Sequence, residues 1–267
     1  KKVFQKYKFS AVFNLAAQAG VRYSIEYPDA YFKSNIQGFF NILTLTKNYK
    51  SGTLIYASTS SVYGDQKKFP IKETNDSNNP LSFYAASKKT NEIMASSFFH
   101  MYKTSSIGLR FFTVYGPYGR PDMSLFKFIK SGINNEFIEL YNYGKHTRDF
   151  TYIDDIVEGV IKTLNEIPKK NLKWNSDYPD QATSIAPWRI YNIGNNNPVK
   201  LMDYINALEK NLGKKAKINF LPLQPGDVQN TYANVDNLKK KFNYKPSTSV
   251  ADGVSKFVEW YKDYYNI

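Results

Sequence analysis

Tyr84 and Lys88 form the residue pair best suited to chemistry in this chain, because a phenol and an ammonium group stand four residues apart. On a helix, positions i and i+4 share one face, so the ammonium would lie beside the phenol. A nearby cation favours the phenolate, and a tyrosine tuned in this way can act as a general base near neutral pH. The pair therefore predicts a proton-transfer site of the kind that oxidoreductases use.

The spacing alone is weak evidence, since the chain contains 22 Tyr and 36 Lys plus Arg, but its surroundings strengthen it. A buried-strand pattern at 53–57 runs into a hydroxyl-rich turn at 58–64, and a second strand pattern at 106–112 follows the Tyr/Lys helix. A parallel α/β sheet places its active groups at the carboxyl ends of such strands. The turn and the helix therefore stand where the active groups of such a sheet are expected.

Seven motifs along the chain match those of one family, in the order in which the family has them. They are 14–22 (NLAAQAGVR), 34–38 (SNIQG), the hydroxyl-rich turn, Tyr84 with Lys88, 110–121 (RFFTVYGPYGRP), 148–155 (RDFTYIDD) and 225–227 (PGD). The chain thus resembles the extended short-chain dehydrogenase/reductase family, specifically the nucleotide-sugar epimerases, and most closely the UDP-glucuronate 4-epimerases. Each motif alone is modest evidence, but seven in family order argue strongly against chance.

The fold class follows from the pattern of elements and from this resemblance. Strand and helix patterns alternate to about residue 103, as a doubly wound sheet requires. The resemblance implies an α/β fold with a doubly wound parallel, Rossmann-like sheet and a smaller α+β substrate lobe. We predict an NAD-binding domain made of 1–113, 145–166 and 188–200, and a substrate lobe made of 114–144, 167–187 and 201–267.

The family opens with a strand, a Gly-rich phosphate-binding turn and a helix that this sequence does not contain. None of its 14 glycines forms G-x-x-G-x-x-G or G-x-G-x-x-G, and residues 1–4 resemble the end of a helix before a strand at 11–15. We therefore expect two strand-and-helix steps of roughly 30 residues each upstream of Lys1. A protein without them would have a broken dinucleotide site and should be inactive.

The resemblance implies a reaction at C4 of a sugar ring. Tyr84, as the phenolate, would remove the proton of the C4 hydroxyl while the C4 hydride passes to NAD. Lys88 would hold the phenolate and bond the nicotinamide ribose, and Thr59 would relay or orient the proton beside O4. If the 4-keto sugar turns over in the pocket, the hydride returns to its opposite face and C4 is inverted.

The same resemblance implies two sets of binding residues. NAD would be bound by Ala16, Ala17, Asn35, Ala57, Ser58, Tyr84, Lys88 and Phe111. The UDP-sugar would be bound by Ser60, Ser61, Thr113, Arg120, Arg148 and Asp227. No metal site is predicted, because the chain has no cysteine and only two isolated histidines.

Departures from related subfamilies point to the type of reaction. The 4,6-dehydratases carry an Asp-Glu pair where this chain has Ser60 and Ser61, and decarboxylating relatives carry a Glu where it has Ser61. The neutral hydroxyls of Thr59, Ser60, Ser61 and Thr113 could instead hydrogen-bond the C6 carboxylate of a hexuronate. The turn could also be small and polar for backbone reasons only. Two alternatives therefore stay open: a 4-epimerase of neutral UDP-hexoses, and an inactive fragment that acts as a binding protein or scaffold.

Arginine is rare in this chain, which leaves 31 of its 36 basic residues as lysine. A planar guanidinium suits bidentate recognition of phosphate or carboxylate, so the few arginine positions are informative. Arg120 and Arg148 fall in motifs that hold the nucleotide diphosphate in the family, although each could instead pair with a neighbouring aspartate. Arg110 and Arg189 lie in strand patterns and favour a structural role, while the role of Arg22 stays open.

The net charge of +13 invites a nucleic-acid interpretation, which we reject because the lysines are scattered along the chain. The 42% hydrophobic content allows a sizeable core, and no stretch is long and apolar enough to span a bilayer. We therefore expect a cytoplasmic enzyme with neither a nucleic-acid nor a membrane partner.

Two helical patterns, at 28–47 and 81–103, carry apolar residues on more than one side. Phe39 and Phe40 illustrate this on the first pattern, and Ile93 and Phe98 on the second. Helices that are apolar on two faces need a second surface to cover them. Members of the family dimerise through this pair as a four-helix bundle, so we expect a homodimer; the alternative is that the sheet and loops cover both faces.

The second half of the chain has short apolar runs at 137–141 and 218–221 and helical patterns at 153–165, 201–212 and 250–264. A polar and aromatic stretch at 171–187 is predicted to be a surface loop. The strand pattern that follows at 189–194 is predicted to return to the main sheet.

Overall fold

The computed structural model describes all 267 residues, which divide into two compact units. The first unit contains Lys1–Phe111, Val160–Ile193 and Asn234–Tyr244. The second contains Phe112–Gly159, Gly194–Ala233 and Lys245–Ile267.

The regular elements of both units are numbered here in chain order. The strands are β1 Ala11–Asn14, β2 Thr53–Thr59, β3 Ser106–Phe111, β4 Thr113–Tyr115, β5 Phe137–Leu140, β6 Thr147–Tyr152, β7 Trp188–Ile193, β8 Pro198–Lys200 and β9 Lys217–Phe220. The α-helices are α1 Lys2–Lys6, α2 Tyr23–Glu26, α3 Pro28–Tyr31, α4 Gly38–Asn48, α5 Phe83–Tyr102, α6 Ser124–Asn134, α7 Ile153–Lys162, α8 Leu201–Leu212, α9 Asp236–Phe242 and α10 Val250–Tyr265.

The first unit is built on a parallel sheet with the strand order β1-β2-β3-β7. The strands are rich in apolar residues because helices and loops cover them, and β2 is almost wholly buried. β7 pairs with β3 in parallel, so the predicted return of the 189–194 strand to the main sheet is confirmed. The predicted α/β class with a Rossmann-like parallel sheet is also confirmed.

The two predicted helices of this unit form, with one irregularity. Residues 28–48 are continuously helical, but Phe32–Gln37 adopt a π-helix between α3 and α4. α5 begins after Ser82, whose hydroxyl caps the helix by accepting from the Ala85 N–H at 3.1 Å. It ends at Lys103, which is in the left-handed region with φ 56°. A π-helical turn is often associated with functional sites, and here it contains Asn35.

The segment at 171–187, predicted to be a surface loop, has no helix or strand but is not wholly on the surface. Ala182 and Ala186 are buried in a core cluster that also contains Trp188, and the Ile190 N–H donates to the Ala182 carbonyl. These contacts place the segment with the sheet unit, whereas the predicted domain boundaries gave 167–187 to the substrate lobe. The difference arises because Ala182, Thr183 and Ala186 are buried in the first unit, whereas Leu172 and Tyr178 lie at the surface.

The second unit has a three-stranded sheet in the order β4-β6-β8 and a two-stranded parallel sheet formed by β5 and β9. The short apolar runs at 137–141 and 218–221 therefore form strands that pair with each other. Its core is rich in aromatic residues from β4, β6, α6, α8 and α10. These residues include Tyr115, Phe126, Phe128, Phe150, Tyr152, Tyr204, Phe257 and Tyr261.

Candidate active site

The carboxyl ends of β1, β2 and β3 lie side by side in the first unit. Ser58 is opposite Arg110 and Thr59 is opposite Phe111 in the parallel register. Ala16 and Ala17 follow the end of β1 and are exposed. The structure thus brings the predicted residues of three separate motifs to one edge of the sheet, as a parallel sheet requires.

Tyr84 and Lys88 lie on the first turns of α5 and differ in burial. Tyr84 is partly exposed, and its ring meets the edge of the Tyr31 ring with centroids 6.1 Å apart. Lys88 is only 3% exposed. Burial lowers the pKa of the Lys88 ammonium to about 8, while the Glu92 carboxylate opposes this shift. The first turns of α5 therefore carry a reachable phenol and, four residues later, a buried ammonium.

The hydroxyl-rich turn is a short 3₁₀-helix, Ser60–Tyr63, that follows β2. Thr59 caps it, because its hydroxyl oxygen accepts from the Ser61 N–H at 3.2 Å. Thr59 also lies 3.2 Å from the Ser61 hydroxyl, and both Ser60 and Ser61 are partly exposed. The turn therefore presents hydroxyl groups at the sheet edge in a conformation that is fixed by one of them.

Asn35 is a predicted cofactor-binding residue, but its carboxamide is hydrogen-bonded to other groups of the protein. Its oxygen accepts from the Gln18 N–H at 2.8 Å, and its nitrogen donates to the Gln18 carbonyl and to the Ser87 hydroxyl, both at 2.9 Å. Asn91 donates to the Asn35 backbone carbonyl at 2.7 Å. These bonds tie the segment after β1 to α5, so Asn35 fixes the backbone beside Ala17.

A buried ion pair next to the site was not predicted as such. Arg110 donates to both carboxylate oxygens of Glu92, at 2.8 and 2.7 Å, and both residues are almost completely buried. Ser58, predicted to bind the cofactor, donates its hydroxyl to the same carboxylate at 2.6 Å. The sequence does indicate Glu92 in one way: it lies four residues after Lys88, which repeats the spacing between Tyr84 and Lys88.

In the second unit, Arg120 pairs with Asp122. The guanidinium donates through Nε at 3.0 Å and through Nη2 at 2.5 Å to the two carboxylate oxygens, and both side chains are well exposed. This is the pairing that the sequence left open for Arg120. An exposed pair of this kind is worth little free energy, so an anionic ligand can compete for the guanidinium.

Arg148 does not pair with the neighbouring Asp149. Its guanidinium donates to the backbone carbonyls of Val228 and Gln229, at 2.6 and 2.7 Å. Burial lowers the pKa of Arg148 to about 10, and the Asp227 carboxylate opposes this shift. The guanidinium therefore stays cationic at neutral pH. The structure therefore brings together two predicted substrate-binding residues that are 79 positions apart, Arg148 and Asp227.

Asp149, the residue next to Arg148, binds backbone groups of the second unit. Its buried carboxylate accepts from the backbone N–H groups of Asn195, Asn196 and Ala233, at 2.6, 3.0 and 2.9 Å. It thereby holds two loops of the second unit together. Thr113, the remaining predicted substrate residue, begins β4 and lies opposite Phe150 of β6.

The residues of the first unit suit the nicotinamide half of a dinucleotide. Ala16, Ala17 and Ala57 leave the backbone at the ends of β1 and β2 open to a close approach, because each side chain is a single methyl group. The buried ammonium of Lys88 can donate a hydrogen bond to a ribose hydroxyl.

No group of three or more His, Cys, Asp or Glu residues is placed to hold a metal ion. None of the helices has the length and apolar character needed to cross a membrane.

Comparison with known proteins agrees with this geometry. The family model described as GDP-mannose 4,6 dehydratase matches residues 1–257. Protein CapI of Staphylococcus aureus is 52% identical over 264 residues, covering 99% of this chain and 79% of that protein. The probable UDP-glucuronate 4-epimerase of Rhizobium meliloti (strain 1021) is 45% identical over 258 residues, covering 95% of this chain and 75% of that protein.

A solved structure shows the same architecture. The crystal structure of UDP-glucuronic acid 4-epimerase from Bacillus cereus, in complex with UDP-glucuronic acid and NAD, is 31% identical and superposes with a TM-score of 0.86. The superposition covers 99% of this chain and 78% of that one. The match of the family model over nearly the whole chain, together with these identities, shows that the chain belongs to the GDP-mannose 4,6 dehydratase family of extended short-chain dehydrogenases/reductases.

Proposed function

We propose that this protein interconverts UDP-glucuronate and UDP-galacturonate by NAD-dependent inversion at C4, through a 4-keto intermediate. The observation that carries the proposal is the placement of a reachable Tyr84 and a buried Lys88 four residues apart on α5, the helix that contacts β2 and the hydroxyl-rich turn. Relatives named as UDP-glucuronate 4-epimerases support the choice of substrate.

The residues of the first unit have separate roles in this reaction. Tyr84 accepts the proton of the C4 hydroxyl as the C4 hydride leaves, and returns it when the hydride is delivered to the opposite face. Lys88 favours the phenolate of Tyr84 through its charge. Thr59 lies at the end of β2, where its hydroxyl orients the sugar oxygen at C4. Each role uses a group that the sheet edge presents.

NAD, when bound, supplies the hydride acceptor and then the donor, so no external redox partner is needed. Lys88 and the open backbone beside Ala16, Ala17 and Ala57 would hold its nicotinamide end. The Ser58 side chain is bonded to Glu92 and the Asn35 side chain to Ser87, so both residues support that surface through bonds within the protein. Phe111 ends β3 at the same edge and would border the ring.

The name of the family model does not decide the reaction. Elimination of water across C5 and C6 needs its own acid and base, and the two positions that follow Thr59 are Ser60 and Ser61. A serine hydroxyl is a far weaker acid and base than the carboxyl groups that stand there in the dehydratases. Inversion at C4 requires only the groups already described, so we favour epimerisation over dehydration.

The uronate is favoured over a neutral hexose by the neutral hydroxyl groups of the turn. Ser60 and Ser61 are partly exposed donors beside Thr59, and no carboxylate stands among them to repel a substrate carboxylate. Thr113 is proposed to add a fourth hydroxyl. A neutral UDP-hexose would leave these donors without their anionic partner.

The second unit is proposed to bind the nucleotide half of the substrate. Arg148 and Asp227 lie together there, and the Arg120 guanidinium can exchange Asp122 for a phosphate oxygen with little loss of stability. We propose on this basis that the first unit serves the cofactor and the chemistry, whereas the second selects the nucleotide.

A homodimer formed through α4 and α5 is part of the proposal. The two helices contact each other. Phe39 and Phe98 are buried within the unit, whereas Phe40 is 50% exposed and Ile93 is 60% exposed. Large apolar residues exposed on adjacent helices indicate a surface that a second copy would cover.

The test is product analysis with the full-length protein, NAD⁺ and either UDP-glucuronate or UDP-glucose. We expect conversion of UDP-glucuronate to UDP-galacturonate, separated by anion-exchange chromatography, and markedly slower conversion of UDP-glucose. Equal rates on both sugars, or conversion of only the neutral one, would reject the uronate assignment. A 6-deoxy-4-keto product would reject epimerisation, and the absence of any turnover would favour a binding protein.

A further inference from the structure

Glu92 continues the line of functional side chains on α5 beyond Tyr84 and Lys88. It stands one helical turn after Lys88 and is 1% exposed. Its carboxylate receives three strong hydrogen bonds, two from Arg110 and one from the Ser58 hydroxyl. The carboxylate is therefore fixed in position rather than free to rotate.

Arg110, which holds Glu92, is itself held on all sides. The guanidinium donates to the Glu73 carbonyl at 3.1 Å and to the Ser77 hydroxyl at 3.3 Å. The Tyr63 ring lies 4.6 Å from the guanidinium carbon. Burial alone would raise the pKa of the Glu92 carboxyl, but Arg110 holds it below its usual range. Glu92 therefore remains anionic at neutral pH.

Stability alone is a poor reason for such an ion pair. Removing two charges from water carries a large desolvation cost, and well-packed apolar residues often replace buried pairs without loss of stability. An apolar pair could not place a negative charge one turn from Lys88. It also could not accept the hydrogen bond of Ser58 at the end of β2.

We propose that Glu92 is a positioning residue of the active site, which keeps Lys88 protonated and anchors, through Ser58, the end of β2 that carries Thr59. This rests on the proposed function, since it assigns Lys88 a charge that the reaction uses. Glu92 touches neither the sugar nor the cofactor in this role. It acts through Lys88 and Ser58.

Charged and titratable groups from several elements surround Glu92. They are Arg110 from β3, Lys88 and Lys89 from α5, and the phenols of Tyr56 and Tyr63, with Glu73 and Asp76 lying beyond Arg110 and Lys89. Lys89 is the second cation at the carboxylate, with its Nζ 3.5 Å from a Glu92 oxygen. Glu92 is the one charged group that raises the pKa of Lys88. Loss of its charge should therefore release the Lys88 proton at lower pH.

The test compares Glu92→Gln, which removes the charge, with Glu92→Asp, which keeps it. The double variant Glu92→Gln/Arg110→Gln avoids an unpaired buried guanidinium if the single variant does not fold. Glu73→Gln is the matched control, because Glu73 is also a buried carboxylate near Arg110 but is not among the groups that shift the pKa of Lys88. A purely structural role for Glu92 would make the control and the test variants behave alike.

The first readout needs no turnover. The chain is labelled with ¹³Cε-lysine, the Lys88 resonance is identified by its loss in Lys88→Met, and its shift is followed against pH. We expect the Lys88 pKa to fall below that of the parent in the charge-neutral variants, to return towards it in Glu92→Asp, and to stay unchanged in Glu73→Gln. An unchanged Lys88 pKa in a folded charge-neutral variant would overturn the proposal.

The second readout is the pH dependence of kcat with UDP-glucuronate. We expect its alkaline limb to move to lower pH in the charge-neutral variants, with KM nearly unchanged. Equal losses at every pH would contradict the role of the charge. A parent protein that shows the Lys88 titration but no epimerisation would refute the proposed function and leave the link between Glu92 and Lys88 standing, so the two failures are distinguishable.

Discussion

Lys88 is buried on the same helix on which Tyr84, four residues earlier, remains partly exposed. The protein therefore keeps a positive charge away from water, while the phenol four residues before it stays within reach of a ligand. A charge in such a place works against folding, because burial favours its neutral form. The buried ammonium therefore does not serve stability, and we propose that it serves the reaction.

Replacing Lys88 by methionine should stabilise the fold while removing activity. The folded pKa is about 8 against an ordinary 10.5, so the unfolded chain binds the proton more tightly and the penalty is complete below pH 8. A difference of that size corresponds to roughly 3 kcal/mol. The gain in unfolding free energy should be present at pH 7, shrink above pH 8 and vanish near 10.5. Urea unfolding at several pH values measures it, with exposed Lys262→Met as the control.

Replacing Thr113 by valine should weaken the reaction with the uronate selectively. Valine keeps the shape and removes one hydroxyl, so the activation free energy for UDP-glucuronate should rise by roughly 1 to 3 kcal/mol, and kcat/KM should fall accordingly, because the buried partner is left unpaired. The value for UDP-glucose should change little. Competition assays with both sugars measure the ratio, and a parallel loss on both would show that Thr113 does not recognise the carboxylate.

Arg120 should bind the diphosphate through its planar fork. Arg120→Lys keeps the charge but loses the bidentate geometry, so titration calorimetry with UDP should show weaker binding. Asp122→Asn removes the competing carboxylate and should strengthen binding, with a change in stability of about 1 kcal/mol or less. Arg189→Lys is the control. Unchanged UDP affinity in both test variants would show that Arg120 does not bind the diphosphate and only pairs with Asp122 at the surface.

A charge on the outer faces of α4 and α5 should split the dimer. Phe40→Glu and Ile93→Glu introduce a carboxylate at positions that a second copy would cover, whereas Leu172→Glu changes an apolar residue that is 85% exposed in the 171–187 loop. Sedimentation velocity should show monomers for the first two and dimers for the control and the parent. A parent that sediments as a monomer would contradict the proposed dimer.

Much of this fold can be predicted from local patterns. The helix at 201–212 is predicted to the residue, because its apolar face repeats at helical spacing and Gly213 ends it at φ 66°. The strands at 53–57 and 106–112 are predicted within two residues, since long apolar runs mark buried parallel strands. These features depend on neighbours in sequence.

Features that depend on distant partners escape such reasoning. Arg110 was assigned a structural role, but its partner Glu92 could not be identified without the packing of α5 on β3. The carboxamide of Asn35 is occupied by Gln18 and Ser87, and nothing in its local sequence indicates this. The burial of Ala182 within a polar stretch likewise requires the neighbouring sheet.

The central claim is that Tyr84 exchanges a proton with the C4 hydroxyl, and Tyr84→Phe in the full-length protein tests it most directly. The variant removes one proton acceptor and little volume, so UDP-glucuronate should bind nearly as in the parent by calorimetry. The rate of conversion to UDP-galacturonate should fall on the order of 100-fold or more. A rate comparable to that of the parent would contradict the account.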